Sequence, residues 1–211
     1  METKKVALVI VDISGYTQFI RSQKMSAVHA EEIIFELLEA VIDHAAYPLT
    51  LNKLEGDAAL LYAELKDDEA AVARDVASQG QAFFDVFYER ARILSTEKAD
   101  CDCNACQRIL DLRLKAFLHH GEVVFKKIRQ FEEMAGEDII IVHRLTKNSI
   151  PSNEYILMTE PFYQLAGDLP DMNMERHQET YDELGSINVN VFHHQKKSIA
   201  DQDSQVYTQF F

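Results

Sequence analysis

The chain has 211 residues, 47% of them hydrophobic and 27% charged, and 21 Lys and Arg face 35 Asp and Glu, for a formal charge of −14. This suits a soluble globular fold with a sizeable core, as one large domain or a domain with an appendage. It disfavours a nucleic-acid polymer, whose backbone wants Lys and Arg stripes, but not a small nucleotide whose phosphates a metal ion and a few local cations can offset. No apolar run is long enough to span a bilayer. The start, METKKVALVIVD, ends its short apolar run in Asp12 with no small-residue cleavage pattern, so it is not read as a signal peptide. Three cysteines within six positions do not make a secreted disulfide framework, and a reducing cytoplasm is the expected setting.

Residues 5–12, short, continuous and rich in Val and Ile, predict a central strand. Ile33, Ile34, Leu37, Leu38, Val41 and Ile42 recur at helical spacing and predict a helix over 26–46, with Ser26 as N-cap and Pro48 as its limit. TLNKLEGDAALLYAEL predicts two strands around a tight Glu55-Gly56-Asp57 turn. Asp67 and Asp68 open a long helix to about Leu94, with Val72, Val76, Phe83, Phe84 and Phe87 as its buried stripe. A polar loop over 95–108 carries the cysteines. Leu110, Leu112, Leu114, Ala116 and Leu118 alternate with polar partners, which predicts a strand, and Gly121 is expected to turn it into a second one. IIIVHRLTKN predicts a helix, YILMTE a strand, EPFYQLAG a short helix and, after an acidic stretch, SINVNVFHH a last strand. Helices interspersed with hairpins point to an α/β sandwich of mixed or antiparallel character rather than a doubly wound parallel sheet. The expected main unit is residues 1–194, with 195–211 as a C-terminal tail.

Two carboxylates stand out. Asp12 ends an apolar strand and Asp57 follows Gly56 in the hairpin turn. If the hairpin lies beside the first strand, both can point at one spot, as a pair of Mg²⁺ ions about 3.5–4 Å apart requires for phosphoryl transfer. The Ser14-Gly15 turn can offer backbone N–H groups to a triphosphate. From spacing alone, the plainer reading comes first: Asp12 caps the next helix and Asp57 serves a turn. Cys101-x-Cys103-x-x-Cys106 can supply three of the four tetrahedral ligands of a structural Zn²⁺ ion, the fourth being a histidine, Asp100, Asp102 or a residue of a partner chain. The competing reading is a reduced or redox-active loop. His119 and His120 precede Gly121, and one of them, facing the core side of an alternating strand, is expected to be a satisfied structural histidine.

VALVIVDISGYTQFI resembles the first signature of the class III nucleotide cyclases, in which an apolar strand runs into Asp-Ile-Ser-Gly-Phe-Thr. KLEGDAALLYAE resembles their second signature, and LKAFLHHGEVV their strand–His–x–Gly–turn. AGEDIIIVHRL resembles their Trp-Gly-x-x-Val-Asn-x-Ala-x-Arg segment and YILMTEPFYQL the strand and helix after it. The resemblance spans about residues 5–193, and the chain looks like a bacterial subgroup of stand-alone cyclase-like proteins. It implies a ferredoxin-like mixed sheet flanked by helices, an α+β fold, and a head-to-tail homodimer converting ATP to cyclic AMP and pyrophosphate with Mg²⁺ or Mn²⁺. Asp12 and Asp57 would hold the metals, with the Ile13 carbonyl as a further ligand, and Gly15, Tyr16 and Thr17 would present amides to the phosphates. From the other protomer, Lys53 and Glu133 would read adenine and Arg144 would stabilise the transition state.

This sequence departs from the family pattern in two places. The ribose-orienting Asn falls on Ile140, and Met134-Ala135 replaces the aromatic before Gly136. Cyclisation depends on in-line geometry, so loss of a positioning group costs orders of magnitude in rate. Two functions follow: a cyclase of weak or lost activity, or a cyclase-homology module that binds a nucleotide or protein partner.

Overall fold

The computed structural model describes residues 1–16, 19 and 27–194. The strands are β1 (Glu2–Ser14), β2 (Thr50–Glu55), β3 (Ala58–Glu64), β4 (Arg113–Ile128), β5 (Phe131–Ala135), β6 (Tyr155–Thr159), β7 (Met172–Tyr181) and β8 (Gly185–His194). The helices are α1 (Ala27–His44), α2 (Glu69–Glu97), α3 (Asn104–Gln107), α4 (Glu137–Leu145) and α5 (Glu160–Ala166). The strands form one mixed sheet in the order β2-β3-β1-β4-β6-β8-β7, with β5 added to the far end of β4. Among the described residues, only the β4–β6 pair is parallel.

β1 lies at the centre because both of its faces are apolar. Ala7, Val9, Val11 and Ile13 pack on the face covered by α1, α2 and α5. Val6, Leu8 and Ile10 pack on the face covered by α4. The β2–β3 hairpin turns at Gly56-Asp57, where Gly56 has a φ of 68°, a conformation open to glycine. Asp68 accepts the Ala71 amide at 2.9 Å and so starts α2. Val76, Phe83, Phe84 and Phe87 form the buried stripe of that helix, while Val72 is only half-buried. The α1 helix ends at His44, four residues short of Pro48, and Ser26 lies outside the described residues.

Three expectations are corrected. First, Gly121 does not turn the chain. The β4 strand runs straight through it, with Gly121 paired to Val6 of β1, and the turn comes at Arg129-Gln130. Gly121 is bare to admit Asp138: a Cβ there would sit 2.0 Å from the Asp138 Cγ. That carboxylate accepts the Glu122 amide at 2.8 Å and His119 Nε2 at 2.9 Å, and His119 Nδ1 lies 2.9 Å from Thr159 Oγ1. Second, Leu110 belongs to a 3-10 turn and is 54% exposed, so the strand starts at Arg113. Third, the acidic stretch contains β7. It escapes the alternation test because most of its side chains face solvent. Its buried Glu179 accepts the Ser149 amide (3.0 and 3.1 Å) and hydroxyl (2.8 Å), which ties the strand to the segment after α4.

Burial pushes the Asp138 carboxyl upward, but the bonds from His119 and the Glu122 amide outweigh it and hold it below the usual range. Its stabilisation is therefore present above about pH 4 and is lost as pH falls further. Gly121→Ala must displace this carboxylate and is expected to cost about 2–3 kcal/mol in urea unfolding. In an Asp138→Ala background the same change should cost far less, because the obstruction is gone.

Candidate functional site

The β1 strand carries Asp12 at its end, on the same face as Leu8 and Ile10. Asp12 stands opposite Ala58 on one side and Lys115 on the other. The Ile13 amide donates to the Asp57 carbonyl at 3.0 Å, so the hairpin turn closes against the strand end beside Asp12. Burial, and then the negative charge of Asp57, push Asp12 up to about 6, while Lys115 opposes them. Burial also raises Asp57; its own amide resists and Glu31 of α1 adds to the rise. Two half-buried, mutually repelling carboxylates at one strand end form a set of hard oxygen donors, which fits a divalent cation.

Lys115 is a residue the sequence reading did not single out. Its ammonium sits 5.5 Å from the centre of the Tyr155 ring, and burial lowers its pKa against the pull of Asp12. The signal was a cation on the strand face it shares with Arg113, Phe117 and His119. Next to it, Ser14 pairs with Arg113 across the strands. A cleft of about 100 Å³ opens there between Ser14, Gly15, Arg108 and Arg113, so two cations border the turn. Gly15 has a φ of 96°, and Tyr16 Oη donates to Glu31 Oε1 at 3.0 Å. Thr17 lies outside the described residues.

The other sequence-selected residues gather elsewhere. Lys53 on β2 lies 3.0 Å from Glu55 Oε1, and Glu55 also meets His143 Nδ1 at 3.3 Å. Glu133 on β5 pairs with Lys126. The adjoining Glu132 carbonyl accepts Asn52 Nδ2 at 3.2 Å, which brings β5 to β2 near Lys53. Arg144 lies in the last turn of α4, with its guanidinium 2.9 Å from Glu183 beside a cleft of about 300 Å³. Ile140, one turn earlier on α4, is 50% exposed. Among the described residues no hydrogen bond or ion pair joins Asp12 or Asp57 to Lys53, Glu133 or Arg144. The candidate residues thus fall into two groups that share no direct bond among the described residues.

A third cluster lies where α1 meets the connection from α2 to β4. The α2 helix runs on to Glu97, and the expected loop contains α3, which carries Cys106. His29 Nδ1 lies 3.5 Å from Cys101 Sγ, 3.5 Å from Cys103 Sγ and 3.6 Å from Cys106 Sγ. His29 is the histidine that the cysteine spacing alone did not choose from the eight in the chain.

A family model described as "Protein of unknown function (DUF2652)" matches residues 34–155. The chain belongs to this family. A curated relative, "Uncharacterized protein Rv2561/Rv2562" of Mycobacterium tuberculosis, is 39% identical over 126 residues, 59% of this chain. The match spans 56% of that relative's length. Solved structures carry the likeness further. The adenylyl cyclase CyaB from P. aeruginosa superposes with a TM-score of 0.71 at 16% identity, over 93% of this chain and 97% of that one. The guanylate cyclase domain of RhGC from Catenaria anguillulae, solved in complex with GTP, gives 0.62 at 13% identity, over 93% and 100%. At such identities the likeness shows the fold: this DUF2652 chain has the architecture of the class III cyclase domains, a largely antiparallel sheet flanked by helices. Among the described residues, no helix is long and apolar enough to cross a membrane.

Proposed function

We propose that the chain is a cyclase-type domain that binds a nucleoside triphosphate with Mg²⁺ or Mn²⁺ and converts it slowly to a cyclic nucleotide and pyrophosphate. The observation that carries this reading is the meeting of Asp12 and Asp57 at one strand end, across the Ile13 amide to Asp57 carbonyl bond. Those two carboxylates and the Ile13 carbonyl would hold the cations. Bound there, the cations would screen the phosphates and make the ribose hydroxyl a better nucleophile. The amides of Gly15, Tyr16 and Thr17 would orient the phosphate chain, with Arg113 and Lys115 as nearby positive charge. Lys53 and Glu133 would read the base, and Arg144 would stabilise charge on the reacting phosphoryl group. The likeness to cyclase domains supports a head-to-tail homodimer in which each site takes one group from each protomer. Residues 1–194 would form the cyclase-like unit; the expected tail, 195–211, lies outside the described residues. A cytoplasmic setting suits the three thiols.

A second reading is favoured by Ile140, which has no polar atom to hold a ribose: a module that binds nucleotide without turnover. Incubation of pure protein with ATP or GTP and Mg²⁺ or Mn²⁺, read by mass spectrometry, separates the two. Cyclic product that disappears in Asp57→Ala supports turnover, and product that persists in that variant marks a contaminant. Thermal stabilisation by nucleotide without product supports the binding module. Neither product nor stabilisation overturns both readings.

A further inference from the structure

The cysteine cluster plays no part in nucleotide chemistry and has its own logic. Three sulfurs and one imidazole nitrogen come from two separate parts of the chain, and all four atoms lie within 4.8 Å of one another. A tetrahedral ion with nitrogen at about 2.0–2.1 Å and sulfur at about 2.3 Å has N···S edges of about 3.5–3.6 Å. His29 Nδ1 stands 3.5, 3.5 and 3.6 Å from the three sulfurs. A dithiol switch needs two sulfurs and has no use for a nitrogen equidistant from three. We propose that His29, Cys101, Cys103 and Cys106 hold one Zn²⁺ ion in a closed tetrahedral site that fastens α1 to the α2–β4 connection.

The surroundings serve such an ion. The Cys106 amide lies 3.5 Å from Cys103 Sγ and points at it, as amides do toward ligating thiolates. Gln107 Nε2 donates to the Cys101 carbonyl at 2.9 Å and fixes the loop. Three thiolates and one Zn²⁺ leave a net negative charge, and Lys98 stands near Cys106 while its ammonium meets Glu32 of α1 at 3.0 Å. Soft sulfur donors with one imidazole select zinc among common divalent ions, and four protein ligands leave no open position, which makes the ion structural. Binding releases the thiol protons to solvent. The ion fixes the first turns of α1, the helix whose Glu31 accepts the Tyr16 hydroxyl. The site is independent of the nucleotide reading and stands or falls separately from it.

Elemental analysis of full-length protein purified under reducing conditions from zinc-supplemented medium should find about one zinc per chain. Cobalt added to the chelator-treated protein should produce thiolate-to-cobalt charge-transfer absorption and the visible bands of a tetrahedral ion. His29→Ala should lower zinc affinity in chelator competition by at least about 100-fold, more than loss of an outer-sphere partner does. His29→Cys should retain the metal and shift the cobalt bands. The cobalt titration of wild-type protein tests the site even if a cysteine variant fails to fold. Metal-free native protein without the cobalt spectrum would overturn the proposal. So would His29→Ala binding zinc as tightly as wild type, a different metal at one per chain, or an intact mass showing a Cys103–Cys106 disulfide in protein purified without reductant and lacking zinc.

Discussion

Asp12→Asn is expected to make the metal-free protein more stable and, in the same step, to abolish its stabilisation by Mg²⁺ or Mn²⁺ with a nucleoside triphosphate. Burial beside Asp57 raises Asp12 from an ordinary 3.8 to about 6. A carboxyl raised in this way binds more protons folded than unfolded between about pH 4 and 6, so stability falls as pH rises through that window. The cost at neutral pH is up to roughly 3 kcal/mol, reduced in practice because Lys115 loses its opposite charge in the variant. For a chain of this size a gain of 1–2 kcal/mol raises Tm by roughly 2–8 °C. In chelator, wild type should therefore lose more stability between pH 4 and 7 than Asp12→Asn does. With metal and nucleotide the order should reverse. A variant that keeps the full ligand-induced shift in Tm would remove Asp12 from the metal site.

Ile140→Asn should raise cyclic-nucleotide production by about 10- to 100-fold, the scale on which positioning groups act. Ile140 is 50% exposed on α4, so the change should cost the fold no more than about 0.5 kcal/mol. The gain should appear in kcat rather than in the concentration dependence of nucleotide binding, because the added amide positions the ribose without enlarging the metal contacts. Arg144→Ala in the same background should remove it. A variant that folds, binds nucleotide with the wild-type midpoint and still makes no product would mean that the reaction fails for a reason other than ribose orientation.

The central strand, the Gly56-Asp57 hairpin and the long α2 helix could be read directly, because hydrophobic periodicity and turn chemistry are local. The role of Gly121 could not. A glycine between two apolar runs signals a turn as readily as a gap, and here the object in the gap, Asp138, lies 17 residues away. The β7 strand was hidden by its exposed side chains, since only one-sided burial writes a period of two into a sequence. Asp12 and Asp57 could be paired from spacing once their strands were taken as neighbours. Lys115 required knowing the cross-strand register, which is a property of the sheet. His29 needed the same kind of information: three clustered cysteines ask for a fourth ligand but do not say which distant residue the fold delivers.

The two cations assigned to base and transition state are each already held, Lys53 by Glu55 at 3.0 Å and Arg144 by Glu183 at 2.9 Å. Exposed pairs of this kind are worth only about 0–1 kcal/mol, so a nucleotide can exchange partners with them at little cost. Held in this way, Lys53 and Arg144 add little positive field at a distance, on a chain whose formal charge is −14. On the proposed reading, a bare triphosphate approaching so acidic a chain would be repelled until a divalent cation accompanied it or had settled on Asp12 and Asp57. That reading would set the order of arrival, cation no later than nucleotide. Added monovalent salt, by screening that repulsion, should quicken capture, the reverse of its effect on a basic surface that binds nucleic acid.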